Sequence, residues 1–326
     1  MQCFSRRPLL ALAGLLALGA LGNAHAAEAY PSKPVKILVG YTAGGAVDAI
    51  ARLVGQQMAG VLGQPVVVEN KPGAGTNIAV KALIASPPDG YTLLLAANAL
   101  AVNPSLFQPA PYDLDKDLVP VAMVGRVPVV FTVREGSELK TLQELVAAAK
   151  AKPGGVTVAT PGNGSTPHLA MELFQHTAGL SLSHVPYKGG APAITDALGG
   201  HVDVVAVNAL EALPLVRAGK LRVLAVMSPE RSAVLPGVPT VAESGYPGFE
   251  SSVWYGFVAP AGTPKPVLAK LHAAVQKALA SEEVRRQLAE AGGVTLPGPP
   301  ELFGKLLKTD AARYGQLIRA ADIKLD

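Results

Sequence analysis

Cysteine is close to absent: the chain of 326 residues has one, Cys3. A disulfide framework is thereby excluded, and a chain this long buries an adequate core without one. Aromatic residues amount to 5% and charged residues to 16%, with basic residues in excess by 4 and no basic block. Nothing in that balance offers the charged surface that nucleic acid requires. Long apolar runs are missing too: after residue 27 none approaches the roughly 18 residues of a membrane span. Metal signals are poor. His168, His176, His184, His201 and His272 are scattered, without the close pairs that zinc favours. Asp113-Leu114-Asp115-Lys116-Asp117 mimics a calcium loop, but Leu118 and Val124 stand where Gly and Glu are needed. No metal and no cofactor are expected.

What is present begins with a leader. Met1 to Arg7 carries Arg6 and Arg7, Pro8 to Leu21 is apolar, and Ala24-His25-Ala26 offers small residues at the two positions a signal peptidase reads. This pattern predicts a secretory signal cut between Ala26 and Ala27, leaving a mature chain of 300 residues. The apolar run is too short and too rich in Ala and Gly to span a membrane. The paired arginines leave both general secretion and twin-arginine export open. Cys3 lacks lipoprotein context and leaves with the signal. The mature protein is expected in the periplasm, where ATP and NADH are not supplied.

Short β-branched runs alternate with Ala-rich helical stretches. The predicted strands are Val35–Val39, Val66–Glu69, Thr92–Ala96 and Val127–Val133, then Val156–Ala159, Leu182–Val185, Val202–Val207 and Leu221–Val226. Between them lie predicted helices at Ala46–Leu62, Asn77–Ser86, Thr141–Lys152, Thr166–Thr177, Ala191–Leu198 and Ala209–Ala218. Such alternation implies parallel sheets flanked by helices. Ser228 to Gly262 is rich in Pro and Gly around one apolar run, Val253–Ala259. Helices alone are expected afterwards, at Pro264–Ala280, Glu282–Ala291 and Pro300–Ala321. A terminal block without strands should pack back onto the first half. The expectation is two α/β lobes, residues 27–125 with 251–326 and residues 126–250, joined by crossings near Val124–Val133 and Ser251–Pro260. Ligands in open parallel sheets sit at strand C-terminal ends, so two facing lobes form a cleft that closes on a small molecule.

The strand-to-helix loops carry the candidate chemistry. Tyr41-Thr42-Ala43-Gly44-Gly45 precedes a helix start, and Gly44 and Gly45 present backbone N–H groups to an anion. No Gly-Lys-Ser/Thr follows, so it is not a P-loop. Gly73-Ala74-Gly75 resembles the opening of a dinucleotide fingerprint, but Ile78 occupies the third glycine position. Asn98 follows the third strand, its amide facing the same cleft or closing a turn. Thr160-Pro161-Gly162-Asn163-Gly164-Ser165-Thr166-Pro167-His168 brings hydroxyls, an amide and free N–H groups to another helix start, which suits a carboxylate. Tyr187 and Lys188 supply a hydroxyl and a cation to an acidic ligand. Asn208 ends a further strand, whereas Asp203 starts it, away from the cleft. Ser165 with His168 invites a hydrolase reading, but the G-x-S-x-G elbow is absent.

Together these stretches resemble one family: the periplasmic receptors of the tripartite tricarboxylate transporter, or Bug-type, family. The resemblance rests on Ala43-Gly44-Gly45 to Asp48, Glu69-Asn70-Lys71-Pro72-Gly73-Ala74-Gly75 and Pro88-Asp89-Gly90-Tyr91-Thr92-Leu93-Leu94. It continues through Gly162-Asn163-Gly164-Ser165 to His168-Leu169 and Val185-Pro186-Tyr187-Lys188-Gly189. Pro236-Gly237-Val238-Pro239-Thr240 and Trp254 to Pro264 complete it. It implies an α/β, two-lobed periplasmic binding protein, type II-like, of the Venus flytrap kind. Such a receptor binds a small organic acid and delivers it to transporter membrane components; a monomer is expected. It further implies a carboxylate held partly through waters by Tyr41–Gly45 and the Asn98 turn, with the loop at Thr160–Thr166 closing on it. One departure is Gly40-Tyr41, where the family often has Pro-Phe. A secreted hydrolase using Ser165 and His168, or a sensory module for a membrane signalling protein, are the other readings the residues permit.

Overall fold

The computed structural model describes residues 30–320 and residue 323. The leader therefore lies outside the described residues. In the first half the β-branched runs form β1 (Val35–Val39), β2 (Val66–Asn70) and β3 (Thr92–Ala96). The helices between and after them are α1 (Ala46–Leu62), α2 (Asn77–Ile84) and α3 (Ala99–Leu106). A long strand, β4 (Leu118–Arg134), leads out of this half. The second half holds α4 (Leu142–Ala151), β5 (Thr157–Thr160), α5 (Thr166–Ala178) and β6 (Ser183–Pro186). It continues with α6 (Gly190–Gly199), β7 (Val204–Asn208), α7 (Ala209–Arg217) and β8 (Leu221–Val226). The chain then returns as β9 (Ser252–Pro260), α8 (Lys265–Leu279), α9 (Glu282–Glu290), β10 (Val294–Thr295) and α10 (Pro300–Ala320).

Local chemistry explains most boundaries. Gly63, at φ 67°, ends α1 in the left-handed conformation that glycine adopts at least cost. Thr141 and Glu144 form a reciprocal capping box at the start of α4, and Ser281 caps α9. The central strand β7 is buried at every position, as a strand covered on both faces must be.

The strands run in the order β2-β1-β3-β9-β4-β7-β5-β6. Within each half the pairs β1–β2, β1–β3, β5–β6 and β5–β7 are parallel, with crossover helices on the faces. The middle is antiparallel, contrary to a wholly parallel reading: β9 pairs β3 and β4, and β4 pairs β7 and β8. β4 serves both halves. It pairs β9 from Leu118 to Pro128, then turns to β7 at Val129 and β8 at Val130. The changeover between Pro128 and Val129 is one crossing. Ser251 and Ser252 form the other: Ser251 N–H donates to the Met227 carbonyl in one half, while Ser252 pairs Pro128 in the other.

Three elements depart from expectation. The strand expected at Val127–Val133 begins at Leu118, because its first half gains a full partner in β9. Helix α3 was not foreseen: it is buried almost all round and has Pro104 inside, so it shows neither an amphipathic stripe nor a clean interior. The two-residue β10 interrupts a tail expected to be helical, pairing Arg126 and Gly125 of β4. The tail does pack back: α8 lies against α1, and α10 against α3 and β4. There Phe303 meets Trp254 edge to face at 5.3 Å.

Candidate functional site

The loop after β1 is built around a buried carboxylate. Asp48, 4% exposed, accepts the Gly44 N–H at 2.9 Å, the Arg52 guanidinium at 3.0 Å and the Asn70 amide at 3.0 Å. Asn70 Nδ2 also donates to the Tyr41 carbonyl at 3.0 Å. Burial raises the Asp48 pKa, but these hydrogen bonds and the Arg52 charge outweigh it, and the carboxyl titrates below its ordinary value. The motif residues Asp48 and Asn70 thus fix the turn that aims α1 at the cleft. Gly44, at φ 83°, supplies the left-handed residue that the turn needs.

On the opposite side, Ser165 caps α5 by accepting the His168 N–H at 3.4 Å. The His168 ring serves the same loop: Nδ1 accepts the Gly164 N–H at 3.2 Å, and Nε2 faces Glu172 at 3.6 Å. Neither ring nitrogen is engaged by the Ser165 hydroxyl. Beneath the loop, Thr160 Oγ1 accepts from Gly162 N–H at 3.2 Å and meets His184 Nε2 at 2.7 Å. The His184 ring stacks on His168 at 4.1 Å. Burial first, then the neighbouring His168, holds His184 far below its ordinary pKa, at about 3.

The two sides meet. Thr42 N–H donates to the Lys188 carbonyl at 3.0 Å. The start of α1 reaches further: Ala46 N–H donates to Glu211 Oε1 at 2.7 Å. Glu211 stands in the first turn of α7, 165 residues along the chain. Its other oxygen faces the Asn208 amide at 3.4 Å. Burial pushes the Glu211 carboxyl above its ordinary pKa, against the lowering effect of the Ala46 and Asn208 hydrogen bonds. Burial and the Glu211 charge likewise raise the hydroxyls of Tyr41 and Tyr255.

Around these contacts lie two cavities with Tyr41 and Pro161 as common wall. The inner one has about 20 Å³ of free space, room for about one water. Four helix N-termini converge on it, at Ala46 of α1, Thr166 of α5, Gly190 of α6 and Asn208 before α7. Thr166 and Asn208 are 2% and 5% exposed, yet Thr166 Oγ1 and Asn208 Oδ1 have no hydrogen-bond partner. The outer cavity, about 330 Å³, is rimmed by Ala74, Gly75, Asn163, Tyr187 and Lys188. Each helix end carries roughly half a positive charge, which favours negative charge in the inner cavity although its wall has no cationic side chain and includes the Glu211 carboxyl.

The sequence profile of the tripartite tricarboxylate transporter family receptor matches residues 50–323. The chain belongs to this receptor family. BugT of Bordetella pertussis is 38% identical over 320 residues, covering 97% of this chain and 98% of BugT. The periplasmic binding protein BugD superposes with a TM-score of 0.87 at 34% identity, over 90% of this chain and 99% of BugD. An R. palustris protein solved with adipate superposes with a TM-score of 0.87 at 31% identity, over 90% of this chain and 99% of its own. The fold is that of the two-lobed periplasmic receptors.

The residues singled out in the sequence of this receptor fall into three groups. Tyr41, Gly45, Ser165, Thr166 and Asn208 line the inner cavity. Tyr41, Asn163, Tyr187 and Lys188 line the outer one. Tyr187 also donates to Asp196; burial, that bond and the Asp196 charge push its pKa to about 12. Ala43, Gly44, Gly164, Thr160 and Asn98 line neither cavity: Ala43 and Gly44 are exposed, and Gly164, Thr160 and Asn98 are buried. Asn98 is engaged throughout: Oδ1 accepts the Trp254 N–H at 3.0 Å, and Nδ2 faces the Tyr314 hydroxyl at 3.3 Å. Trp254, 4% exposed, donates its ring N–H to buried Asp310 at 2.7 Å. Asp203 binds the Thr157 hydroxyl and N–H at the far end of its strand. Glu211 escaped sequence reasoning, because an acidic residue in a helix's first turn ordinarily just complements the dipole.

Proposed function

We propose that this receptor binds a small organic acid in the cleft between its lobes, in the periplasm, and delivers it to the membrane components of a tripartite tricarboxylate transporter. The observation that carries the reading is the convergence of four helix N-termini on a cavity whose buried Thr166 hydroxyl and Asn208 amide oxygen lack partners. Unsatisfied buried polar atoms are costly, and a bound carboxylate with its waters relieves that cost. Family membership and the adipate-bound relative support the same ligand class. The lobes are residues 27–125 with 251–326 and residues 126–250, and the mature chain starts at Ala27 and acts as a monomer. Ligand enters through the outer cavity and is gripped as Tyr41–Gly45 and Thr160–Thr166 approach, with Tyr187, Lys188 and Asn208 on the second lobe. The work is binding, with no bond made or broken.

A thermal-shift screen of residues 27–326 against small acids tests this. A ligand at 100 times its Kd stabilises by about 2.7 kcal/mol, a shift of roughly 5–10 °C at about 2–4 °C for each kcal/mol. The expected hit is recovered chemically unchanged. A ligand consumed during the assay would overturn the reading.

A further inference from the structure

The inner cavity is not uniformly suited to anions, because one of its anion positions already holds a carboxylate belonging to the protein. Glu211 Oε1 sits on the first N–H of α1, the group at which a second ligand carboxylate would dock. It is packed there closely: a Cβ on Gly190 would stand 2.2 Å from Oε1, and one on Gly45 3.0 Å away. Asn208 turns its N–H₂ toward Glu211 Oε2, the one orientation in which that amide pairs with a carboxylate. Its Oδ1 therefore faces elsewhere, buried and without a partner. The wall at α1 and α7 thus presents acceptors. Across the cavity, the start of α5 presents a helix N-terminus and the unpartnered Thr166 hydroxyl, which are donors. As it stands the cavity holds about one water, so a ligand is admitted only with the two walls further apart, and one complementary to both carries a carboxylate at one end and an N–H donor at the other.

We propose that Glu211 sets the ligand class: this receptor takes a small monocarboxylate bearing an amino group in preference to a dicarboxylate. The carboxylate lies against α5, and the ammonium lies between Glu211 and Asn208 Oδ1. Burial favours the protonated form of Glu211, and an ammonium beside it stabilises the ionised form and pairs with it, whereas a dicarboxylate brings a second acid and no such partner into a site with little water. The proposal rests on the reading of the cleft as an acid-binding site.

Calorimetric titration of residues 27–326 with matched sets decides it: succinate, 4-aminobutyrate and butyrate, and malonate, alanine and propionate. The expected result is that an amino member binds at least about tenfold tighter than the dicarboxylate of its set. Glu211→Gln should erase that preference, weakening the amino member more than about tenfold beyond any change in the plain monocarboxylate. A dicarboxylate that binds tightest to the unaltered protein overturns the proposal without any variant. So does an equal loss for all members in Glu211→Gln, since Glu211 would then be only a contact that closes the cleft. If no acid binds either protein while both fold by circular dichroism, the acid-binding reading itself falls and takes this proposal with it.

Discussion

A methyl group added to Gly189 would stand 2.4 Å from the Thr42 hydroxyl. Gly189 also has φ 151°, where residues with a side chain are strained. The carbonyl of its neighbour Lys188 receives the Thr42 N–H, so the backbones of the two sides touch at this point. Gly189→Ala should therefore obstruct closure and raise the ligand Kd by about tenfold or more, as titration would show. Combining it with Thr42→Ala removes the oxygen being struck and should restore part of the affinity. An unchanged Kd in Gly189→Ala would mean that binding does not need this approach.

Ser165 and Thr166 are adjacent but should fail differently. Ser165 Oγ caps α5, so Ser165→Ala should cost about 0.5–2 kcal/mol of stability in urea. Thr166 lines the inner cavity, and its buried Oγ1 has no partner. Thr166→Val keeps the shape, should leave the urea midpoint nearly unchanged and should weaken ligand binding by roughly tenfold, the effect of one lost hydrogen bond.

Asn98 stands behind the cavity with both ends of its amide engaged. Asn98→Ala leaves the buried Trp254 N–H without its acceptor, which should cost about 1–3 kcal/mol in chemical unfolding. Ligand Kd should move less than about threefold. A large Kd change with unaltered stability would make Asn98 a ligand contact instead.

His184 predicts a pH dependence with a definite sign. Burial and His168 depress its pKa from 6.5 to about 3, so it stays neutral in the folded protein over most of that range. Unfolded chains take up the proton near pH 6.5. Between pH 6.5 and 3 the unfolded state binds more protons, so stability falls as pH falls and is fully present above pH 6.5. Discounted for the partial exposure of His184, the loss should be roughly 2–3 kcal/mol. Urea midpoints at about pH 4.5 and 7.5 should separate less in His184→Gln than in the unaltered chain.

Sequence displayed well those features whose physics is local. β1, β3, β8 and α1 begin and end where β-branched runs, polar first turns and terminal glycines place them. The clustering of Tyr41, Gly45, Ser165, Thr166 and Asn208 around the inner cavity follows from one rule, that strand C-termini and helix N-termini face the same side. What stayed hidden was tertiary. Leu118–Val124 shows its strand character only once β9 lies beside it, and α3 is buried so completely that no face stays polar. The partner of Ala46 could not be read at all, because Glu211 reaches it from another helix and no local pattern records a contact across 165 residues.

β4 and β9 form one hydrogen-bonded ribbon through the middle of the molecule, and β4 alone runs on past Pro128 to pair β7 and β8. Such a ribbon flexes across its flat face, whereas sliding one strand past the other would break its ladder. Bending is expected to concentrate at the two crossings, Pro128–Val129 and Ser251–Ser252. Motion about that line would swing the helix ends of the second half toward Tyr41 and Gly45 along one arc, so that the backbone and not the solute would set the order of their contacts.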